Sequence, residues 1–97
     1  QSDVIIKKYS IDINSRLIKK NDQSLKLTER EIKIILFLKN SKKPQNIENF
    51  EKEVWGFNSE LETHTVETHI YRLRKKISNK FKDKDFIKSN KSGYKIK

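Results

Sequence analysis

Apolar residues recur along this chain in two rhythms, and each rhythm marks a kind of element. Between residues 3 and 27 the period is short. Val4-Ile5-Ile6 is an apolar run, and Tyr9, Ile11 and Ile13 alternate with polar neighbours, as side chains on one face of a strand do. Arg16–Lys20 and Gln23–Leu27 follow, joined by Asn21-Asp22, residues that accept the positive φ of a tight hairpin turn. Four short strands with short connections predict an antiparallel meander. One face of it needs a cover.

The rhythm then changes to that of helices. Thr28 and Glu31 have the spacing of a reciprocal capping box, in which each side chain accepts from the other's backbone N–H. Ile32, Ile34, Ile35, Leu36, Phe37 and Leu38 make a helix over about 28–40 that is apolar nearly all round, hence central. Asn40-Ser41-Lys42-Lys43-Pro44 ends it. Asn46 caps a second helix, 46–55, with Ile47, Phe50 and Val54 facing inward and Gly56 just past its end. A polar connection, 57–62, leads to a third helix predicted over 63–79. There Val66, Ile70, Leu73 and Ile77 form one stripe. At about 100° per residue, His64, Thr68, Tyr71, Arg72 and Lys75 lie opposite that stripe, with Thr65, His69 and Arg74 on its flanks. Residues 78–85 read as a lysine-rich loop. Phe86-Ile87-Lys88-Ser89 and Gly93-Tyr94-Lys95-Ile96 then pair as a hairpin over about 85–97, around Asn90-Lys91-Ser92. The expected class is α+β.

Charge gives this pattern a direction. The formal net charge is +10 over 97 residues. From His64 onward there are 11 Lys/Arg against 3 Asp/Glu, whereas residues 1–63 hold 12 against 10. An AT-rich genome would enrich Lys, Asn and Ile throughout, but it would not crowd the positive charge into the last third. A helix oily on one side and basic on the other wants a core behind it and a polyanion in front. At 33% hydrophobic content the chain can bury one small core, so a single domain over 1–97 is expected. With no cysteine there is no disulfide framework or thiolate metal site, which suits a reducing cytoplasm. No apolar run approaches about 18 residues, so no membrane span is expected. The chain starts at Gln1 and holds no Met, so it is expected to be part of something longer.

The order of four strands, three helices and a basic hairpin resembles the winged-helix DNA-binding domain of OmpR/PhoB-type response regulators. Leu27-Thr28-x-x-Glu31 matches the start of that family's first helix, and Val54-Trp55-Gly56 the close of its second. Thr65-Val66-Glu67-Thr68-His69-Ile70-x-Arg72-Leu73-Arg74-Lys75-Lys76-Ile77 matches its recognition helix nearly position by position. Phe86-Ile87-Lys88 and Gly93-Tyr94-Lys95-Ile96 match its wing. Two departures stand out. His64 occupies a position where the family usually has Arg, and Asn90-Lys91-Ser92-Gly93-Tyr94 has one glycine fewer than the usual wing and is one residue shorter.

A helix fits the major groove of B-DNA, and a hairpin can reach the neighbouring minor groove or backbone. Arg72 is the first candidate for reading a base, because its planar fork bonds guanine O6 and N7 together. Thr68 offers a methyl and a hydroxyl one turn earlier; His64 and Tyr71 are further base candidates. Thr65, His69, Arg74 and Lys75 are placed for phosphates, which fix register without reading sequence. The resemblance adds Trp55 at the backbone, Lys91 at the wing tip, and the loop with Asn58, Glu60 and Glu62 as a contact for RNA polymerase. It also implies dimers on tandem half-sites and a receiver domain outside these residues; a one-component or orphan regulator carrying the same domain is the alternative.

Other classes fare worse. There is no Gly-rich phosphate loop, no Ser/His/acid spacing and no paired carboxylates in an apolar context, so neither an enzyme nor a cofactor is expected. His64 and His69 lie about 140° apart on a helix and lack a third ligand, which argues against zinc. A helix that docked an acidic protein would carry apolar anchors on its outer face, where only Tyr71 qualifies. An RNA reader would need exposed stacking aromatics.

Overall fold

The chain is seen in a computed structural model that describes residues 3–56 and 64–96. The four strands, β1 (Asp3–Ile6), β2 (Tyr9–Asp12), β3 (Leu17–Lys20) and β4 (Gln23–Lys26), pair antiparallel in chain order. The register places Val4 beside Ile11, Ile11 beside Ile18 and Ile18 beside Leu25. Since side chains alternate faces at period two, these four form one row on the inner face. Ile11 and Ile18 are wholly buried. Asn21 turns β3 into β4 at φ 56°, the conformation its short polar side chain tolerates. Ile13 departs from the expected alternation. The Asp12 carboxylate accepts from the Ser15 N–H at 3.2 Å, the chain turns out of the sheet, and Ile13 lies beyond β2, 36% exposed.

The first helix, α1 (Glu29–Lys39), begins at the expected box. The Glu31 N–H donates to Thr28 Oγ1 at 3.1 Å, and the Thr28 N–H donates to Glu31 Oε1 at 2.9 Å. Its Ile32, Ile34, Ile35 and Leu38 are buried against the sheet and the other helices. Asn46 caps α2 (Ile47–Phe50) by accepting from the Asn49 N–H at 2.9 Å. The second helix then widens into a π turn, Glu51–Trp55, closed by Gly56 N–H donating to Glu51 O at 2.8 Å. Gly56 leaves it at φ 104°, where a side chain would be strained.

The third helix, α3 (Thr65–Phe81), overruns its expected end at 79. Phe81 continues the stripe one turn beyond Ile77, is buried, and meets the Tyr9 ring edge-on at 5.2 Å. Lys82 then stops the helix in the left-handed region, donating to Ser78 O at 2.8 Å. The lysine-rich loop thus begins four residues later than its composition suggests, because Lys80 and Lys82 flank a core anchor. Phe86 and Ile87 also differ from expectation. Both are buried, Phe86 edge-on to Tyr9 at 5.0 Å, and the hairpin starts only after them. It consists of β5 (Lys88–Asn90) and β6 (Gly93–Lys95), with Asn90 opposite Gly93. Tyr94 exchanges both backbone bonds with Gln45, at 2.8 and 2.9 Å, and its ring meets Phe50 edge-on at 6.0 Å. The wing is therefore stitched to the segment that leads into α2.

Candidate nucleic-acid interface

The apolar stripe of α3 fixes which way its other side faces. Val66, Ile70, Leu73, Ile77 and Phe81 are all buried, so Thr68, Tyr71, Arg72 and Lys75 stand exposed on the far side. Tyr71 is 63% exposed, and the Lys75 ammonium lies over its ring at 5.8 Å. These four side chains form one outward surface carrying two cations, a phenol and a threonine. His64 is also exposed, at the helix start, with Nδ1 2.8 Å from the Glu67 carboxylate, which draws it toward its own helix.

The flanks are less open. Thr65, His69 and Arg74 are half-buried. His69 Nδ1 lies 3.0 Å from Thr65 O; a carbonyl only accepts, so that nitrogen carries the proton and Nε2 is the ring's other edge. Its ring meets Trp55 edge-on at 5.2 Å. Arg74 falls about 140° around the helix from His69, so the two face opposite flanks. On the His69 side, Thr28 and Glu31 at the start of α1 and His69, Arg72, Lys75, Lys76 and Asn79 of α3 line a groove of about 460 Å³. Lys91 lies exposed at the tip of the hairpin, where Asn90 Oδ1 accepts from the Ser92 N–H at 2.8 Å. Asn58, Glu60 and Glu62 lie outside the described residues.

Two residues that the sequence pattern did not single out brace this surface. Lys76 Nζ donates to Glu31 Oε1 at 2.8 Å and to Lys26 O at 3.0 Å, fastening α3 to the β4–α1 junction. Arg30 Nη1 donates to Val54 O at 2.6 Å, and its guanidinium lies 5.0 Å from the centre of the Trp55 ring. Lys76 had a signal in its place on the edge of the stripe; Arg30 had none. Among the described residues no group of His, Cys, Asp or Glu is arranged to hold a metal. No helix among them is long and apolar enough to cross a membrane.

The comparisons with known proteins agree in kind. The family described as "Transcriptional regulatory protein, C terminal" matches residues 22–96. A probable transcriptional regulator ycf27 of Galdieria sulphuraria is 38% identical over 72 residues, which are 71% of this chain and 28% of that protein. The response regulator ArlR of Staphylococcus aureus is 33% identical over 86 residues, 87% of this chain and 39% of that protein. The chain thus spans well under half the length of these relatives. Among solved structures, the DNA-binding domain of E. coli CadC superposes with a TM-score of 0.84 at 25% identity, covering 100% of this chain and 92% of that one. The DNA-binding domain of AdeR, solved with an intercistronic region, superposes at a TM-score of 0.77 and 24% identity, covering 95% and 96%; it speaks for the fold.

Proposed function

Because this chain belongs to the family formed by the C-terminal domains of transcriptional regulatory proteins, we propose that it binds double-stranded DNA sequence-specifically, as the output domain of a two-component response regulator. The outer face of α3 carries the reading: Thr68, Tyr71, Arg72 and Lys75 point away from a fully buried stripe. In the major groove Arg72 bonds a guanine edge through its fork, and Thr68, Tyr71 and His64 meet neighbouring bases. Thr65, His69, Arg74, Lys75 and Trp55 hold phosphates, and Lys91 brings the wing to the minor groove or backbone. The domain binds and does not catalyse.

The names of the relatives, a response regulator among them, support the two-component assignment; a one-component regulator with the same domain is the second reading. In the cytoplasm, two copies would sit on tandem half-sites about one helical turn apart. A receiver domain would lie elsewhere in the intact protein. The acidic 57–62 loop would meet RNA polymerase through Asn58, Glu60 and Glu62. Substituting Glu60 and Glu62 by Gln lowers transcription at unchanged DNA affinity on this reading, and equal losses of both would remove it.

The deciding experiment selects duplexes from a random pool with the wild type and with Arg72→Ala. A consensus in the wild type that loses one position in the variant supports base reading by Arg72. A uniform drop reassigns Arg72 to phosphate, and no binding to duplex at low salt ends the proposal.

A further inference from the structure

Arg30, Trp55 and His69 form a stack that crosses three elements. Arg30 sits in the first turn of α1. Its guanidinium donates to Val54 O at 2.6 Å, a carbonyl in the last turn of the π segment, where the helix's own donors run out at Gly56. The same guanidinium lies over the Trp55 indole at 5.0 Å. The indole meets His69 edge-on at 5.2 Å, and His69 is tied back to Thr65 O at 3.0 Å in the first turn of α3. The ring of His69 is thus held from two sides, by the indole and by its own helix. Arg30 itself is half-buried and does not belong to the outward face of α3.

We propose that Arg30 is a positioning residue for DNA binding: by fixing the Trp55 indole it fixes His69 and the first turn of α3 in the orientation from which the helix meets the duplex. This rests on the DNA-binding reading above. A planar fork suits the task, since it bonds a carbonyl in its plane while stacking a ring on its face. A lysine ammonium does one or the other. The π turn adds a residue to the helical circuit, and Arg30 meets both the Val54 carbonyl and the Trp55 indole that this turn presents. A misplaced first turn shifts every contact of the recognition face together, so the loss falls evenly over all DNA sequences.

Trp55 is the sole tryptophan in the chain, so its fluorescence reports the stack without DNA. The experiment compares wild type, Arg30→Gln and Arg30→Lys by tryptophan emission, circular dichroism, melting temperature and binding to the selected duplex. Arg30→Gln is expected to stay folded, to change the intensity and wavelength of Trp55 emission, and to weaken binding about three- to tenfold at unchanged base preference. Arg30→Lys is expected to restore the melting temperature but not the affinity. Unchanged emission, or affinity that recovers together with the melting temperature, assigns Arg30 to stability alone and overturns the proposal. Equal affinity in wild type and Arg30→Gln also overturns it, while leaving the DNA reading in place. Failure of the wild type to bind any duplex removes both.

Discussion

The Tyr9 hydroxyl donates to Asp83 Oδ2 at 2.6 Å across 74 residues of sequence. One partner closes the first hairpin; the other follows the last turn of α3. With Phe81 and Phe86 edge-on to the same ring, this contact anchors the far end of α3 on the sheet. Burial, then the Asp83 carboxylate, push the Tyr9 phenol well above its ordinary range. Burial alone would raise the Asp83 carboxyl, but the Tyr9 hydroxyl, the Asp85 N–H, Lys8 and Lys7 outweigh it and hold the group below its usual value.

These shifts predict two limbs in the stability profile. The raised Tyr9 group stabilises the fold fully below about pH 10, and that contribution disappears as pH climbs beyond it. The depressed Asp83 group stabilises the fold above about pH 4, and its contribution is lost as pH falls further. Melting temperature followed from pH 2 to 11 checks both. Tyr9→Phe should remove the alkaline limb due to this group and cost about 1 kcal/mol at neutral pH. Asp83→Asn should flatten the acid limb.

Glu31 and Lys76 predict an asymmetry. The Glu31 carboxylate is buried, 6% exposed, and its Oε1 accepts from both Thr28 N–H and Lys76 Nζ. Lys76→Met strands a buried negative charge and should cost about 3 kcal/mol, whereas Glu31→Gln frees a half-exposed ammonium that can turn to water and should cost about 1 kcal/mol. Urea denaturation of each variant and of the double variant measures the difference. A loss in the double variant equal to the sum of the two single losses would show that the pair contributes little as a pair.

What could be read from the sequence followed from local rules. The capping box at Thr28 and Glu31 and the stripe on α3 are spacings within a few residues, and both stand where the pattern placed them. Phe81 was missed because one apolar residue among lysines carries no periodic signal by itself; only its meeting with Tyr9 reveals it. Arg30 escaped for a related reason. Its direction depends on a π turn 21 to 25 residues away, and neither the turn nor the carbonyl it presents is written in hydrophobic spacing. The outward face of α3 was legible as the complement of its stripe. The brace behind it was not.

Gly93 predicts what happens when the wing is released. It sits at φ 132°, and a Cβ there would lie 2.1 Å from Gln45 O, the atom that accepts from the Tyr94 N–H. Gly93→Ala must therefore break the Gln45–Tyr94 pairing or strain the turn, and should cost about 2 kcal/mol or more. Hydrogen exchange at the Gln45 and Tyr94 amides should quicken well before that of the α1 amides. Loss of the pairing should also lower DNA affinity, since Lys91 would no longer be held near the groove.

Salt dependence separates the two kinds of contact assigned to α3. If about six phosphates are neutralised, log K should fall against log salt with a slope near −5. Lys75 stands on the outward face beside Tyr71 as a single compact cation, suited to a phosphate. Lys75→Gln should therefore weaken binding to all sequences alike and make the slope shallower by about 0.9. A base-reading Arg72 behaves differently. Its substitution by Ala should cost about 1–3 kcal/mol on the preferred sequence, and little on a sequence altered at the base it reads. Filter binding of both duplexes between 50 and 300 mM salt gives the slopes and the two affinities at once. Should Lys75→Gln erase a base preference while Arg72→Ala only flattens the slope, the roles of the two residues are exchanged, and the axis of α3 lies rotated in the groove by about 60°, the angle between them on the helix.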